Sequence, residues 1–259
     1  AGTERGLFVS FDDGMSWNAF QSNLPVCPIT DLIIKDNDLV AATSGRGFWI
    51  LDDISALQET KGSLDSKTLK LFEPKPTHKY NLSASSSSQV GKNPLAGIIL
   101  DYHLPEFITD STQTVLEIFN ADGELIRSFR SEKPKGFKSW PGGPAMPVVL
   151  PAKKGLNRFN WDLRRDHLPG IDGIFVFGSP FGTTVSPGKY SLKLTCGDLV
   201  SETSIEILAD PRLKVSEADY KAQEDLLVEM DEAIRSIHKS VNNGRLVQEQ
   251  LHAIIKTLE

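Results

Sequence analysis

Apolar and polar residues alternate with period two along most of the chain, and this alternation predicts strands. In the first part it predicts a hairpin of residues 6–11 and 16–20 around the turn Asp12-Asp13-Gly14. Strands over Ile29–Ile34, Asp38–Thr43 and Gly47–Leu51 follow, with Asp36-Asn37-Asp38 and Gly45-Arg46-Gly47 as turns. Asn, Asp and Gly suit such turns because they accept left-handed backbone conformations. From residue 95 the alternation resumes, over Ala96–Leu104, Thr114–Asn120, Glu124–Ser131, Leu156–Leu163, Gly188–Cys196 and Leu199–Ala209. Ala121-Asp122-Gly123 and Gly197-Asp198 mark hairpins. Phe159 and Trp161 fall on one strand face, which makes Trp161 the expected core tryptophan. Short strands at this spacing predict an immunoglobulin-like or fibronectin-like β-sandwich.

Two stretches break the alternation. Residues 56–94 carry Pro74, Pro76 and a serine run over 83–88, the composition of an extended linker. One helical turn near Ile54–Gln58 and a short strand over Leu69–Phe72 are its expected elements. After Asp210-Pro211 the period lengthens. Ser216 and Asp219 have capping-box spacing, and Leu227, Met230, Ile234, Ile237 and Val241 recur at steps of three and four. Asn243-Gly244 reads as a stop, and Val247, Leu251, Ile254 and Leu258 repeat the seam. The expectation is a C-terminal α-helical hairpin. The chain therefore divides into 1–55, 56–94, 95–210 and 211–259, and its fold class is mainly β.

Charge changes the picture by exclusion. With 28 basic and 34 acidic residues among 259, the formal charge is −6. No basic stripe accompanies it, Lys133, Lys135 and Lys138 being the nearest approach, so nucleic acid is not an expected partner. No apolar run reaches the ~20 residues that span a bilayer. Cys27 and Cys196 fall in different parts of the chain and are expected to be separate buried thiols. Two isolated cysteines and scattered histidines form no metal pattern, and no cofactor motif is present. The start, Ala1-Gly2-Thr3-Glu4-Arg5, has no signal-peptide character, and the expectation is a piece cut from something longer.

The first hairpin contains Ser10-x-Asp12-x-Gly14-x-Ser16-Trp17. A short carboxylate in a turn accepts bonds from nearby N–H groups, glycine permits positive φ, and tryptophan offers an apolar body to pack beneath the hairpin. This spacing resembles the Asp-box, or BNR repeat, of bacterial sialidases, sortilin-type receptor propellers and xyloglucanases. The run Leu39 to Asp53 is similar to the closing blade of such proteins, and Val115–Phe129, Lys154–Arg164 and Ser186–Tyr190 are similar to their later strands. The resemblance implies the C-terminal part of an exported bacterial propeller protein, with about one and a half four-stranded blades in residues 6–51. It implies a secreted, periplasmic or cell-surface location. It also implies that the Asp-box residues are a fold staple rather than a site.

Chemistry is hard to find in this sequence. None of Tyr80, Tyr102, Tyr190 and Tyr220 lies in the propeller-like part, where a sialidase-type site would need its nucleophile. Asp52 and Asp53 are adjacent, which suits a turn or helix start better than two carboxyls held ~5–9.5 Å apart across a cleft. No nucleophile elbow, phosphate loop or metalloprotease motif occurs. No catalytic residue is expected. Arg46 and Trp49 are possible contacts on a propeller face, and Trp140 is one on a Lys/Pro/Gly-rich loop. Phe175, Phe177 and Phe181 lie on a second loop, where aromatics either stack on a ligand or tuck against the body. The expected role is a noncatalytic accessory region that supports peptide or glycan binding and self-associates through its open strands or C-terminal helices. The alternative is a part of a sialidase-like or xyloglucanase-like glycoside hydrolase whose catalytic residues lie on blades outside this sequence.

Overall fold

A computed structural model describes residues 1–60, 67–80, 95–109 and 112–258, and in it the chain is mainly β, with several sheets and one long C-terminal helix. The elements in chain order are β1 (Gly2–Thr3), β2 (Gly6–Val9), β3 (Asn18–Ala19), β4 (Ile29–Lys35), β5 (Asp38–Thr43) and β6 (Gly47–Leu51). Helix α1 (Ser55–Thr60) comes next, then β7 (Lys70–Leu71) and β8 (Thr77–His78). They are followed by β9 (Ile98–Leu104), β10 (Thr114–Phe119), β11 (Leu125–Arg130), β12 (Gly155–Trp161), β13 (Gly188–Cys196), β14 (Leu199–Leu208) and α2 (Glu217–Leu258). The serine run of the expected linker lies outside the described residues.

The later strands form two sheets around one core. One has the order β11-β10-β13-β14-β8 and the other β12-β9-β7. Strict alternation builds this core. In β10, Thr114, Leu116 and Ile118 point inward, and in β13 so do Tyr190, Leu192, Leu194 and Cys196. From the other sheet come Leu100, Tyr102, Leu104 and Trp161, all inaccessible to solvent. Each such aliphatic side chain contributes about 1.5–3 kcal/mol by burial. Trp161 meets Tyr190 edge-on at 5.8 Å, and its indole N–H donates to the Arg164 carbonyl. It occupies the core place its strand position predicts.

The first 51 residues form two small antiparallel sheets, β1-β2-β3 and β4-β5-β6. Their shared core is slight: Leu7, Leu24 and Ala41 are buried, with Phe20, Ile29, Leu32 and Trp49 packed against them. Many apolar side chains stay outside. Phe48 and Ile50, on edge strand β6, are 78% and 60% exposed. Cys27 and Cys196 are both buried, free thiols.

Most strand bounds match the alternation, but three expectations change. The strand expected over 16–20 contracts to Asn18–Ala19, because Asp12 draws the preceding residues into a turn. The strand over Leu69–Phe72 contracts to Lys70–Leu71. The helical hairpin is replaced by one 42-residue helix that runs straight through Asn243-Gly244. A lone glycine costs a helix only about 1 kcal/mol relative to alanine, and here the flanking turn is tied down. The Asn242 side chain bonds the Gly170 carbonyl and the Asp172 N–H, and Arg245 donates to the Asp172 carbonyl. At its start α2 carries the expected capping box, with the Ser216 hydroxyl accepting from the Asp219 N–H and donating to its carboxylate.

Candidate functional site

The turn Ser10–Trp17 is organised by one carboxylate. Asp12 Oδ1 accepts from the Ser10 hydroxyl and the Ser16 N–H, both at 2.8 Å, and Oδ2 accepts from the Ser16 hydroxyl at 2.5 Å. The Gly14 N–H donates to the Ser10 oxygen at 2.8 Å, and Gly14 sits at φ 90°, which a side chain would resist. These donors, the Ser16 hydroxyl first, hold the Asp12 carboxyl down at about 2. A carboxylate engaged at both oxygens and ionised at neutral pH is a brace for its turn and a poor proton donor. Trp17 lies with its ring edge beside Gly14 of the turn, where a Cβ would meet Cζ2 at 3.7 Å, and stays 51% exposed. It stands in the wall of an open groove of about 960 Å³, with Leu7, Phe8, Leu32, Ile34 and Leu57 among the other lining residues.

Asp53 also proves structural. Its Oδ1 accepts from the Ser55 N–H at the start of α1, and its own N–H donates to Asp38 Oδ1 at 2.9 Å. Neighbouring Asp52 has its carboxyl raised, by burial first and by the Asp38 charge second. Asp53 therefore takes the helix-start role that the sequence suggests.

A second cleft, of about 660 Å³, lies where four segments meet. Strand β11 supplies Arg127, the loop 131–149 supplies Phe137, Lys138 and Trp140, the loop after β12 supplies Asp166 and His167, and α2 supplies Arg235. Arg127 is its anchor. The side chain is only 4% exposed, lies over the Phe129 ring at 4.7 Å, and donates to Asp162 at 2.9 Å and to the Arg164 carbonyl at 3.2 Å. Its Nη2 points at His167 Nε2. Because a guanidinium only donates, that imidazole nitrogen accepts, and the His167 proton sits on Nδ1. Burial, then the Arg127 charge, hold His167 down at about 4, so the ring is neutral at physiological pH. Nδ1 is buried and has no hydrogen-bond partner among the described residues.

Trp140 is fixed at the mouth of this cleft. Its indole N–H donates to the Ile174 carbonyl at 2.8 Å. Its ring lies so close over Gly143 that a Cβ there would meet Cε2 at 2.5 Å. The cleft runs along the outer edge of β11, which the sheet leaves unpaired by another full strand. That edge is blunted at its end, where Val149 bridges to Arg130 and the Leu150 N–H donates to the Arg130 carbonyl at 2.9 Å. Helix α2 closes the far wall, with Arg235 donating to the His167 and Asp166 carbonyls and Arg165 paired with Glu224 at 2.8 Å.

The expected contact residues do not converge. Trp140 lines the cleft, but Arg46 and Trp49 belong to the turn and edge strand of the β4-β5-β6 sheet. There the Trp49 N–H donates to the Arg46 carbonyl, and the Trp49 ring packs on the small core. Of the second-loop aromatics, Phe181 meets His167 edge-on at 5.1 Å, whereas Phe177 is 95% exposed. Arg127, His167 and Arg235 escaped sequence reading because no local spacing links them. Among the described residues no cluster of three or more His, Cys, Asp or Glu is placed to hold a metal ion, and no helix is long and apolar enough to cross a membrane. No protein-family model matches the chain, and no curated protein matches it significantly.

Proposed function

We propose that this chain is a noncatalytic interaction region of an exported BNR/Asp-box β-propeller protein, and that the Trp140 cleft is a glycan-binding site. On this reading residues 6–51 are about one and a half propeller blades, residues 95–210 are an immunoglobulin-like sandwich, and α2 buttresses the cleft. The observation that carries the binding role is the cleft itself. It joins a fixed aromatic mouth, Trp140 and Phe137, to a polar floor of Arg127, Asp166 and His167. Concave sites with a few placed polar groups among apolar walls are the usual form of small-ligand sites. The blunted β11 edge disfavours a peptide added as a strand. The braced Asp12 and Asp53 support a role without catalysis. The open groove beside Trp17 supports the propeller reading, since apolar faces of this kind are normally covered by neighbouring structure.

The test is titration of the chain with a panel of soluble polysaccharides and oligosaccharides, followed by intrinsic tryptophan fluorescence and calorimetry, beside Trp140→Ala. Saturable binding that Trp140→Ala abolishes supports the site. Binding of extended peptides but no glycan would move the proposal to a peptide ligand. Cleavage of a glycoside by a longer form of the protein alone would place hydrolysis on other blades and leave this region accessory.

A further inference from the structure

Helix α2 has two faces, and among the described residues only one is used by the rest of the chain. The used face carries Glu224, Asp231, Arg235, His238, Asn242 and Arg245. It ends at Arg245, which holds the Asp172 carbonyl. On the nearly opposite face runs a second series at steps of four and three that never breaks. Leu226, Met230, Ala233, Ile237 and Ser240 form its first half. Gly244, Val247, Leu251, Ile254 and Leu258 form its second. Every one is exposed, and the seven larger apolar ones are each more than half exposed. A strict 3.5-residue period over more than four heptads is the pattern of a helix that winds around another helix.

The series is symmetric about its middle. Small Ser240 and Gly244 lie at the centre, with large apolar residues outward on both sides. Nothing lies within 4 Å of the place a Gly244 Cβ would take, so a second helix can approach closely there. A copy laid antiparallel with its axis of symmetry near Asn242 matches every layer. Leu226 then meets Leu258 of the second copy, Met230 meets Ile254, Ala233 meets Leu251, Ile237 meets Val247, and Ser240 meets Gly244.

Charge selects this direction over the parallel one. The first half of the helix, through Glu232, is rich in carboxylates, with Asp225, Glu229 and Glu232 nearest the seam. The second half is mildly basic, with Lys239, Arg245 and Lys256 against a single Glu249 through Leu258. Antiparallel pairing sets Asp225, Glu229 and Glu232 beside residues 252–259, where Lys256 offsets Glu259, whereas parallel pairing sets these three carboxylates against the same three of the second copy. Residues 246–258 are exposed throughout among the described residues, which leaves this segment open to lie along the partner's first half.

We infer that two copies of this chain pair through α2 as an antiparallel, two-fold helix dimer centred near Asn242. This goes beyond the proposed glycan role and does not rest on it. The test combines sedimentation with directed cross-linking. The intact chain is expected to sediment as a dimer at micromolar concentrations, and Ile237→Glu with Leu251→Glu is expected to give a folded monomer, its fold checked by circular dichroism. An equimolar mixture of Ile237→Cys and Val247→Cys chains is expected to form a disulfide-linked heterodimer on mild oxidation, with little cross-linking of either variant alone. Efficient cross-linking of Ile237→Cys to itself would indicate the parallel arrangement and overturn the inference. So would a monomeric intact chain, or a dimer that survives the double glutamate substitution.

Discussion

Arg158 on β12 grips Asp101, its register partner on β9, through two parallel bonds, Nε to Oδ1 and Nη2 to Oδ2, each 2.8 Å long. The same guanidinium donates to the backbone carbonyls of Asp52 and Asp53, just after the β4-β5-β6 sheet. One side chain thus joins the N-terminal sheets to the larger core. Asp101 is almost wholly buried, whereas the Arg158 side chain is 38% exposed. Removing the arginine leaves a buried carboxylate unpaired. Arg158→Ala is therefore expected to lower stability by about 2 kcal/mol, discounted for the solvent at the arginine. Denaturant midpoints check this, and faster proteolysis near residues 52–60 is expected to accompany it. Arg158→Lys, which cannot form the fork, should recover less than half of the loss.

Asp12→Asn should act locally. Its lost charge weakens the bonds from Ser10 and Ser16, so amide exchange at Gly14 and Ser16 should quicken while exchange in the β9–β14 core is unchanged. Acidification should have the same effect. The folded carboxyl lies near 2 against an ordinary 3.8, so the bracing is complete above 3.8 and is lost as pH falls through about 2. Loosening of this turn at neutral pH would contradict the assignment.

His167 acts in the same direction at higher pH. Its folded value of about 4 lies below the ordinary 6.5, so in that interval the unfolded chain takes up a proton that the folded chain refuses. Stability should fall as pH drops from 6.5 towards 4 and level off below. Arg127, Arg164 and Arg235 face the ring unfavourably, and Asp162 only partly offsets them. Denaturation of His167→Gln across this window should show a shallower slope. An equal slope would remove His167 from the account.

Gly143→Ala tests the placing of Trp140. The new methyl would meet the indole, so the ring must move. The expected result is a changed tryptophan emission and a several-fold weaker glycan affinity, with a near-normal denaturation midpoint. Unchanged affinity would show that the position of the ring is immaterial to binding.

The strands were legible because burial follows alternation so closely in β10, β12 and β13, where each inward residue is apolar or, like Thr114 and Asn157, satisfied by hydrogen bonds. The helix stop was misread at Gly244. Sequence shows the local cost of a glycine but not the bonds from Asn242 and Arg245 that outweigh it. The cleft was legible only at Trp140, an aromatic in a polar loop. Its remaining walls come from β11, a loop and a helix far apart in sequence, so only the folded chain brings Arg127, His167 and Arg235 together.

The most direct test of the central claim is one titration that reads binding and turnover together: the chain is mixed with each member of a polysaccharide and chromogenic glycoside panel, with tryptophan emission and product release followed in the same sample. The account predicts saturable binding of at least one glycan, its loss in Trp140→Ala, and no product. Product released by the chain, or glycan binding untouched by Trp140→Ala, would contradict it.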